Sequence, residues 1–343
     1  MDEKQLVSKS RLVKEGHLLD IFTQWEVLLG IIFVIMVIVF TNSTPYFLDS
    51  FNLMNATFQF TEKSLLAMPM LFIIMCGDID ISVASIIALS AYGVGVAAES
   101  GASTPTLIII ALLIGTLCGL FNGLMVTGFD MPSIAVTLAT QSIFRGISKG
   151  ILAEHACTTF PENFAFLGQG FIGESIIPFS LIIYVIVACI FGFALHKTTY
   201  GRKLYAIGNS MEAARFTGIN VKKVRIINFA LMGLICGLCA ILLSSRILSV
   251  RSNIANGWDM EAITLVVLGG VAITGGKGNV IGVVIASFLV GYLKFGMGLL
   301  KFAGTTMTII IGSLLIIAVL LPRLLDLYKS NRTMLKQQSN SRS

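Results

Sequence analysis

The stretch IIPFSLIIYVIVACIFGFALH (176–196) holds no Asp, Glu, Lys or Arg, and it runs directly into KTTYGRKLYAIGNSMEAARFTGINVKKVR (197–225). The first part has the length and apolarity that an α-helix needs to cross a hydrocarbon core about 30 Å thick. The second is too polar to cross. It carries Lys197, Arg202, Lys203, Arg215, Lys222, Lys223 and Arg225. An apolar run that ends in a basic segment reads as a membrane helix emerging on the cytoplasmic side.

The same pattern extends in both directions. Apolar segments lie near 25–41, 54–75, 81–98, 106–127, 133–150, 176–196, 224–246, 260–273, 279–299 and 303–321. The expected fold is therefore all-α: a polytopic membrane helix bundle of about ten transmembrane helices. Glu62 and Lys63 interrupt the second segment, so its N-terminal part is expected to be interfacial. The eighth is short and ends in glycines, as a half-helix or re-entrant segment would. With the N-terminus inside, an even number of crossings leaves both tails and 197–225 in the cytoplasm. Together with Lys277, these regions hold 17 of the 24 basic residues. The outer segments keep Lys149, Arg246, Arg251, Lys294 and Lys301, which fits the positive-inside rule.

Composition agrees. Hydrophobic residues make up 55% of the 343 and charged residues 12%, about half of what a soluble surface requires; mean hydropathy is +0.88. A net charge of +6 could invite a nucleic-acid reading, but the basic residues sit between apolar runs and no nucleic-acid partner is expected. Five of the six cysteines lie in apolar runs, where they act as small packing residues, Cys236 and Cys239 included. The first twenty residues are polar and charged, and no small-residue cleavage site follows the first apolar run, so no cleaved leader is expected. The domain plan is a cytoplasmic tail over 1–24, a transmembrane domain over 25–322 that includes the cytoplasmic segment 197–225, and a cytoplasmic tail over 323–343.

There is an internal pseudo-repeat. MPMLFIIMCGDIDISVASIIALSAYGVG (68–95) and AITLVVLGGVAITGGKGNVIGVVIASFLVG (262–291) each contain an apolar run, a polar or glycine-rich break and a second apolar run. Interrupted helices in duplicated halves are a transporter feature, with the solute path at the repeat interface. In the first break, Asp78 and Asp80 are costly at membrane depth unless paired or hydrated. With Ser82 they read either as a gate or path element or as helix caps. Asn122, Gln141 and Arg145 are polar positions in apolar spans. They would hydrogen-bond a sugar's hydroxyls or tie helices together, with tying favoured for Asn122 and snorkelling or pairing for Arg145. Gly115, Gly119 and Gly123, Gly233 and Gly237, and Gly278 and Gly282 are spaced by four, which permits close helix approach.

Other chemistry is excluded at particular positions. Gly275-Gly276-Lys277-Gly278 is not a P-loop, because Val271 and Gly278 stand where glycine and Ser or Thr are required. His17, His155 and His196 have no metal-ligand spacing. No nucleophile–base set is evident, and neither a cofactor, a metal nor a catalytic residue is expected.

Within 197–225, Glu212-Ala213-Ala214 are helix formers and Gly218 suits a helix C-terminus. The segment resembles the Glu-Ala-Ala coupling helix of ABC importer permeases, and other blocks extend the likeness. CGDIDISVAS (76–85), GFDMPSIAVTLATQSIFRG (128–146), TTYGRKLYAIGNSMEAARFTGI (198–219) and VVLGGVAITGGKGNVIG (266–282) resemble stretches of the ribose/galactose/rhamnose/autoinducer-2 permeases. Asp78 stands where that family usually has glycine, and Ala84 where glycine is common. The loop FPENFAFLGQG (160–170) leans towards the rhamnose and autoinducer-2 branch. The resemblance implies a permease subunit that carries a monosaccharide or related small solute through the inner membrane. It implies coupling through Glu212, Ala213, Ala214 and Gly218, with Asp78, Asp80, Ser82, Asn122 and Gln141 on the path or gate. Its implied partners are a double-cassette ATPase subunit, a second permease copy or homologue, and an external solute-binding protein. The alternatives are a stand-alone secondary transporter and an intramembrane enzyme.

Overall fold

The computed structural model describes residues 25–152 and 155–314, together with 316, 317 and 320. The tails assigned to 1–24 and 323–343 lie outside the described residues. All regular structure among the described residues is helical apart from two isolated bridges, Cys157 with Val250 and Phe171 with Pro178.

The chain order is α1 (Trp25–Ser43), α2 (Ser50–Met75), α3 (Val83–Glu99), α4 (Thr104–Gly128) and α5 (Ser133–Leu152). After a 3₁₀ turn come α6 (Phe166–Gln169), α7 (Phe179–Lys197), α8 (Thr199–Asn209), α9 (Met211–Phe216), α10 (Val221–Ile247), α11 (Trp258–Leu268) and α12 (Val280–Leu299). A further apolar helix, α13, spans Gly304–Leu314. Each of the ten apolar segments thus contains a helix. Six of these helices are long and apolar enough to cross a membrane by themselves: α1, α2, α4, α7, α10 and α12.

α2 is the spine of the bundle. Its most apolar window is 89% buried, against 17% for α1 and 28% for α7. A helix that is apolar all round and buried on all sides is a core helix. The outer helices instead present Val34, Ile35 and Ile38 of α1 and Val185, Ile186 and Ile190 of α7, all about half exposed, a surface suited to lipid. Glu62 and Lys63 do not interrupt α2. The helix runs unbroken from Ser50, and Glu62 is 1% exposed because the Arg246 guanidinium of α10 holds its carboxylate.

α4 and α10 touch backbone to backbone. A methyl group at Gly115 or Gly119 would strike the main chain of Phe229, Gly233 or Gly237. The four-residue spacing therefore marks a contact between the two helices. Gly282 belongs elsewhere, against the Gly269 backbone.

Both halves of the pseudo-repeat are interrupted, and the interruptions meet. α2 stops at Met75 before the 76–82 break, and α11 is only 11 residues long before the 269–279 turn, so it spans about 16 Å. Gly270, Gly275 and Gly276 take φ of 87°, 86° and 76° in that turn, a region open to glycine at little cost. The Gly276 amide donates to the Met75 carbonyl at 3.0 Å and fastens one break to the other.

Candidate functional site

The segment after α7 folds as two short helices. The Thr198 hydroxyl caps α8 by accepting from the amides of Tyr200 and Gly201, and the Ser210 hydroxyl caps α9 by accepting from the Ala213 amide. Gly218, at φ 84°, turns the chain out of α9, while the Ile219 amide donates to the Ala214 carbonyl. Asn220 then caps α10. Ala214 is buried as the inward anchor of α9; Glu212, Ala213 and Gly218 are exposed, and Phe216 is 92% exposed.

α8 sits on both breaks. Gly208 of α8 lies against the Met75 carbonyl and the Gly276 amide, so closely that a methyl group there would collide with both. The Tyr205 hydroxyl donates to the Gly278 carbonyl at 2.7 Å, and the Tyr200 hydroxyl donates to Asn228 Oδ1 at 2.6 Å. Burial pushes both phenols up, keeping them protonated as donors. Asn228 in turn donates to the Phe72 carbonyl of α2. A displacement of α8 must therefore be felt at the end of α2, in the 269–279 turn and in the first turns of α10.

Beside this junction, Asp78 accepts from Arg225 Nε and Nη2, both at 2.7 Å, with the side chains 6% and 10% exposed. A bidentate pair of this kind fixes geometry as well as charge. Asp78 is thus not a helix cap. Asp80 is not a simple cap either: its Oδ1 accepts from the Ser82 amide at 2.9 Å and the Ser82 hydroxyl at 2.6 Å, forming an Asx turn ahead of α3. Asn122 of α4 donates to the Ser82 hydroxyl at 2.7 Å, the helix-tying role expected for it. Gln141 of α5 has its amide 3.5 Å from Asp259 at the start of α11, and on the same helix Thr137 and Arg145 to either side of it donate to the carbonyls of Ile79 and Ala84. Asp78, Asp80, Ser82 and Asn122 gather at the 76–82 break, and α5 carries Gln141 alongside it. Arg145 neither snorkels nor pairs. It donates to the carbonyls of Ser252, Ile254 and Ala84 at 2.8–3.1 Å, pinning the 248–257 segment against the start of α3.

Away from the breaks lie two clusters whose pairings sequence reasoning did not foresee. Glu261 of α11 binds Lys63 of α2 at 2.8 Å and Lys294 of α12 at 2.9 Å. Lys63 Nζ also stands 5.3 Å from the Trp258 ring centre. At the end of α3, Glu99, His155 and Cys157 bring their polar atoms within 4.8 Å of one another. The single sequence cue for the first network was the charged pair inside the second apolar run; for the last, whose members lie 56 residues apart, there was none.

The family model described as the permease component of branched-chain amino acid transport systems matches residues 52–320. The ribose import permease protein RbsC of Bacillus subtilis (strain 168) is 34% identical over 292 residues, covering 84% of this chain and 90% of that protein. The autoinducer 2 import system permease protein LsrD of Escherichia coli (strain K12) is 36% identical over 303 residues, covering 86% and 91%. LsrD of Shigella flexneri matches to the same extent. No solved structure matches the chain. Interrupted membrane helices, a capped short helix seated on the interruptions and a match over most of the length lead to one conclusion: this multi-pass membrane protein belongs to that family of transport-system permease components.

Proposed function

We propose that the chain is the membrane-spanning subunit of an ABC importer, carrying a monosaccharide or related small polar solute across the bacterial inner membrane. The observation that supports this reading is the seating of α8 on both helix breaks, with the exposed α9 directly following it. An importer whose energy is supplied by another subunit needs a handle on its cytoplasmic face that is mechanically tied to the path. In this reading all ten apolar segments cross, both tails are cytoplasmic, and α9 presents Glu212, Ala213, Phe216 and Gly218 to a double-cassette ATPase subunit, with Ala214 holding it to the bundle. A second permease and an external solute-binding protein complete the complex. Asp78, Asp80, Ser82 and Asn122 then form the cytoplasmic gate, and Gln141 lies further along the path.

The relatives named above import ribose and autoinducer 2 by their names, at similar identity, which supports a small polyhydroxylated solute without separating the two. The rival reading is a secondary transporter working on an ion gradient. It gains the intramembrane pairs Glu62–Arg246 and Lys63–Glu261–Lys294, but leaves the exposed α9 surface without a purpose. The discriminating experiment reconstitutes the chain with its neighbouring ATPase and binding protein and measures ATP hydrolysis. Stimulation by the loaded binding protein, lost in Glu212→Ala and Gly218→Val while membrane insertion persists, supports the importer; unchanged stimulation in both variants sinks the coupling role.

A further inference from the structure

The end of α3 meets the 155–157 segment in a cluster of three chemically different donors. A ring nitrogen of His155, Cys157 Sγ and a carboxylate oxygen of Glu99 all lie within 4.8 Å of one another, with His155 Nε2 at 3.0 Å from Glu99 Oε1. The thiol is firmly seated. Cys157 is fully buried, and its amide and carbonyl pair with those of Val250 at 3.1 and 2.9 Å. Gly95 makes room for it one helical turn before Glu99. A methyl group at Gly95 would come within 2.8 Å of Cys157 Cβ and 3.0 Å of its Sγ. In front of the thiol, the side chains of His155 and Glu99 are 64% and 32% exposed, so an ion can enter from solvent.

An exposed His–Glu contact contributes little by itself, and it gives no reason for a thiol packed behind it. The three donors together are a metal-ligand set. Thiolate, imidazole and carboxylate are the side chains that bind zinc, whereas magnesium and calcium take oxygen donors. Tetrahedral zinc, with bonds of about 2.0–2.3 Å, spaces its donors about 3.3–3.8 Å apart. Small rotations of the two exposed side chains bring this cluster to that spacing.

We propose that Glu99, His155 and Cys157 bind one zinc-class divalent cation, with water as the fourth ligand, and that the ion staples the end of α3 to the 248–257 segment. On binding, the Cys157 thiol gives up its proton to water and coordinates as thiolate. His155 coordinates through one ring nitrogen as neutral imidazole with its proton on the other, and Glu99 exchanges its contact with His155 for a bond to the metal. The mechanical link runs through Cys157 to Val250, and so to the segment whose Ser252 and Ile254 carbonyls Arg145 holds. The importer reading adds only that this face is external.

The test uses the purified full chain in detergent, without an affinity tag. Of the described cysteines only Cys189 is exposed, so the background is Cys189→Ala. Zinc is titrated against a chromophoric chelator, and cobalt(II) serves as the spectroscopic substitute. The expected result is one zinc ion per chain with a Kd of about a micromolar or tighter, and a thiolate-to-cobalt charge-transfer band in the near ultraviolet that Cys157→Ala abolishes. Zinc, but not magnesium, should raise the thermal unfolding midpoint. His155→Ala and Glu99→Gln, both at exposed positions, should each weaken zinc binding by about tenfold or more. The site is overturned if the charge-transfer band is missing, if it persists in Cys157→Ala, or if zinc affinity is unchanged in both His155→Ala and Glu99→Gln. Zinc bound at this site without a rise in midpoint would overturn the staple. Neither ATPase nor binding protein enters the experiment, so its failure leaves the importer reading standing, and failure of the reconstituted importer leaves the metal site standing.

Discussion

Breaking the Asp78–Arg225 pair should cost more than any other single change at the α8 junction. Each partner is at least nine-tenths buried and both contacts are 2.7 Å. Removing one member of such a pair strands the other charge, at a cost of about 3–5 kcal/mol, or roughly two to four orders of magnitude in the folding equilibrium. Asp78→Gly, which installs the residue usual in the resembling family, and Arg225→Met should each produce that loss. The double variant Asp78→Gly/Arg225→Met should recover much of it, because neither charge then remains to be compensated. The assay is unfolding in mixed detergent micelles, read as a double-mutant cycle. A coupling energy of about 2 kcal/mol or more is expected; additivity within about 0.5 kcal/mol would refute the claim that the two residues act as one unit. Such a result would also free Asp78 for the gate role on its own.

Other outcomes follow from the same contacts. Gly208→Ala should destabilise the seating of α8 by about 1–3 kcal/mol and uncouple ATP hydrolysis from uptake; a variant with wild-type coupling would show that α8 does not bear on the breaks. Gly233→Val should separate α4 from α10 and lower the unfolding midpoint in detergent by more than Gly304→Val, whose added Cβ meets nothing within 4 Å. Arg145→Gln, which keeps one donor group of the three-carbonyl clamp, should weaken uptake while leaving binding-protein-stimulated ATP hydrolysis in place, and equal loss of both would contradict a purely positioning role. For orientation, Glu212→Cys should react with impermeant maleimide only in inverted vesicles and Glu174→Cys only in intact cells, each in the Cys189→Ala background; the reverse pattern would invert the topology.

The bundle was legible because lipid imposes a simple requirement: a crossing helix needs a long apolar run, and those runs contain α1 to α5, α7 and α10 to α13. The breaks were legible from glycine and aspartate, residues that membrane helices avoid without reason. The α4–α10 contact could be read as glycine spacing, though not which glycines face each other. Charge pairing could not be read. Glu62 and Arg246 are 184 positions apart, Asp78 and Arg225 147, and nothing local identifies either partner. This is why the charge of Asp78 had no partner until Arg225 was seen against it.

The most direct measurement of the central claim is solute uptake into proteoliposomes containing this chain. The account predicts uptake of the binding protein's sugar only when the ATPase subunit, internal ATP and the external binding protein are all present. Uptake by the chain alone, driven by a proton or sodium gradient, would contradict it.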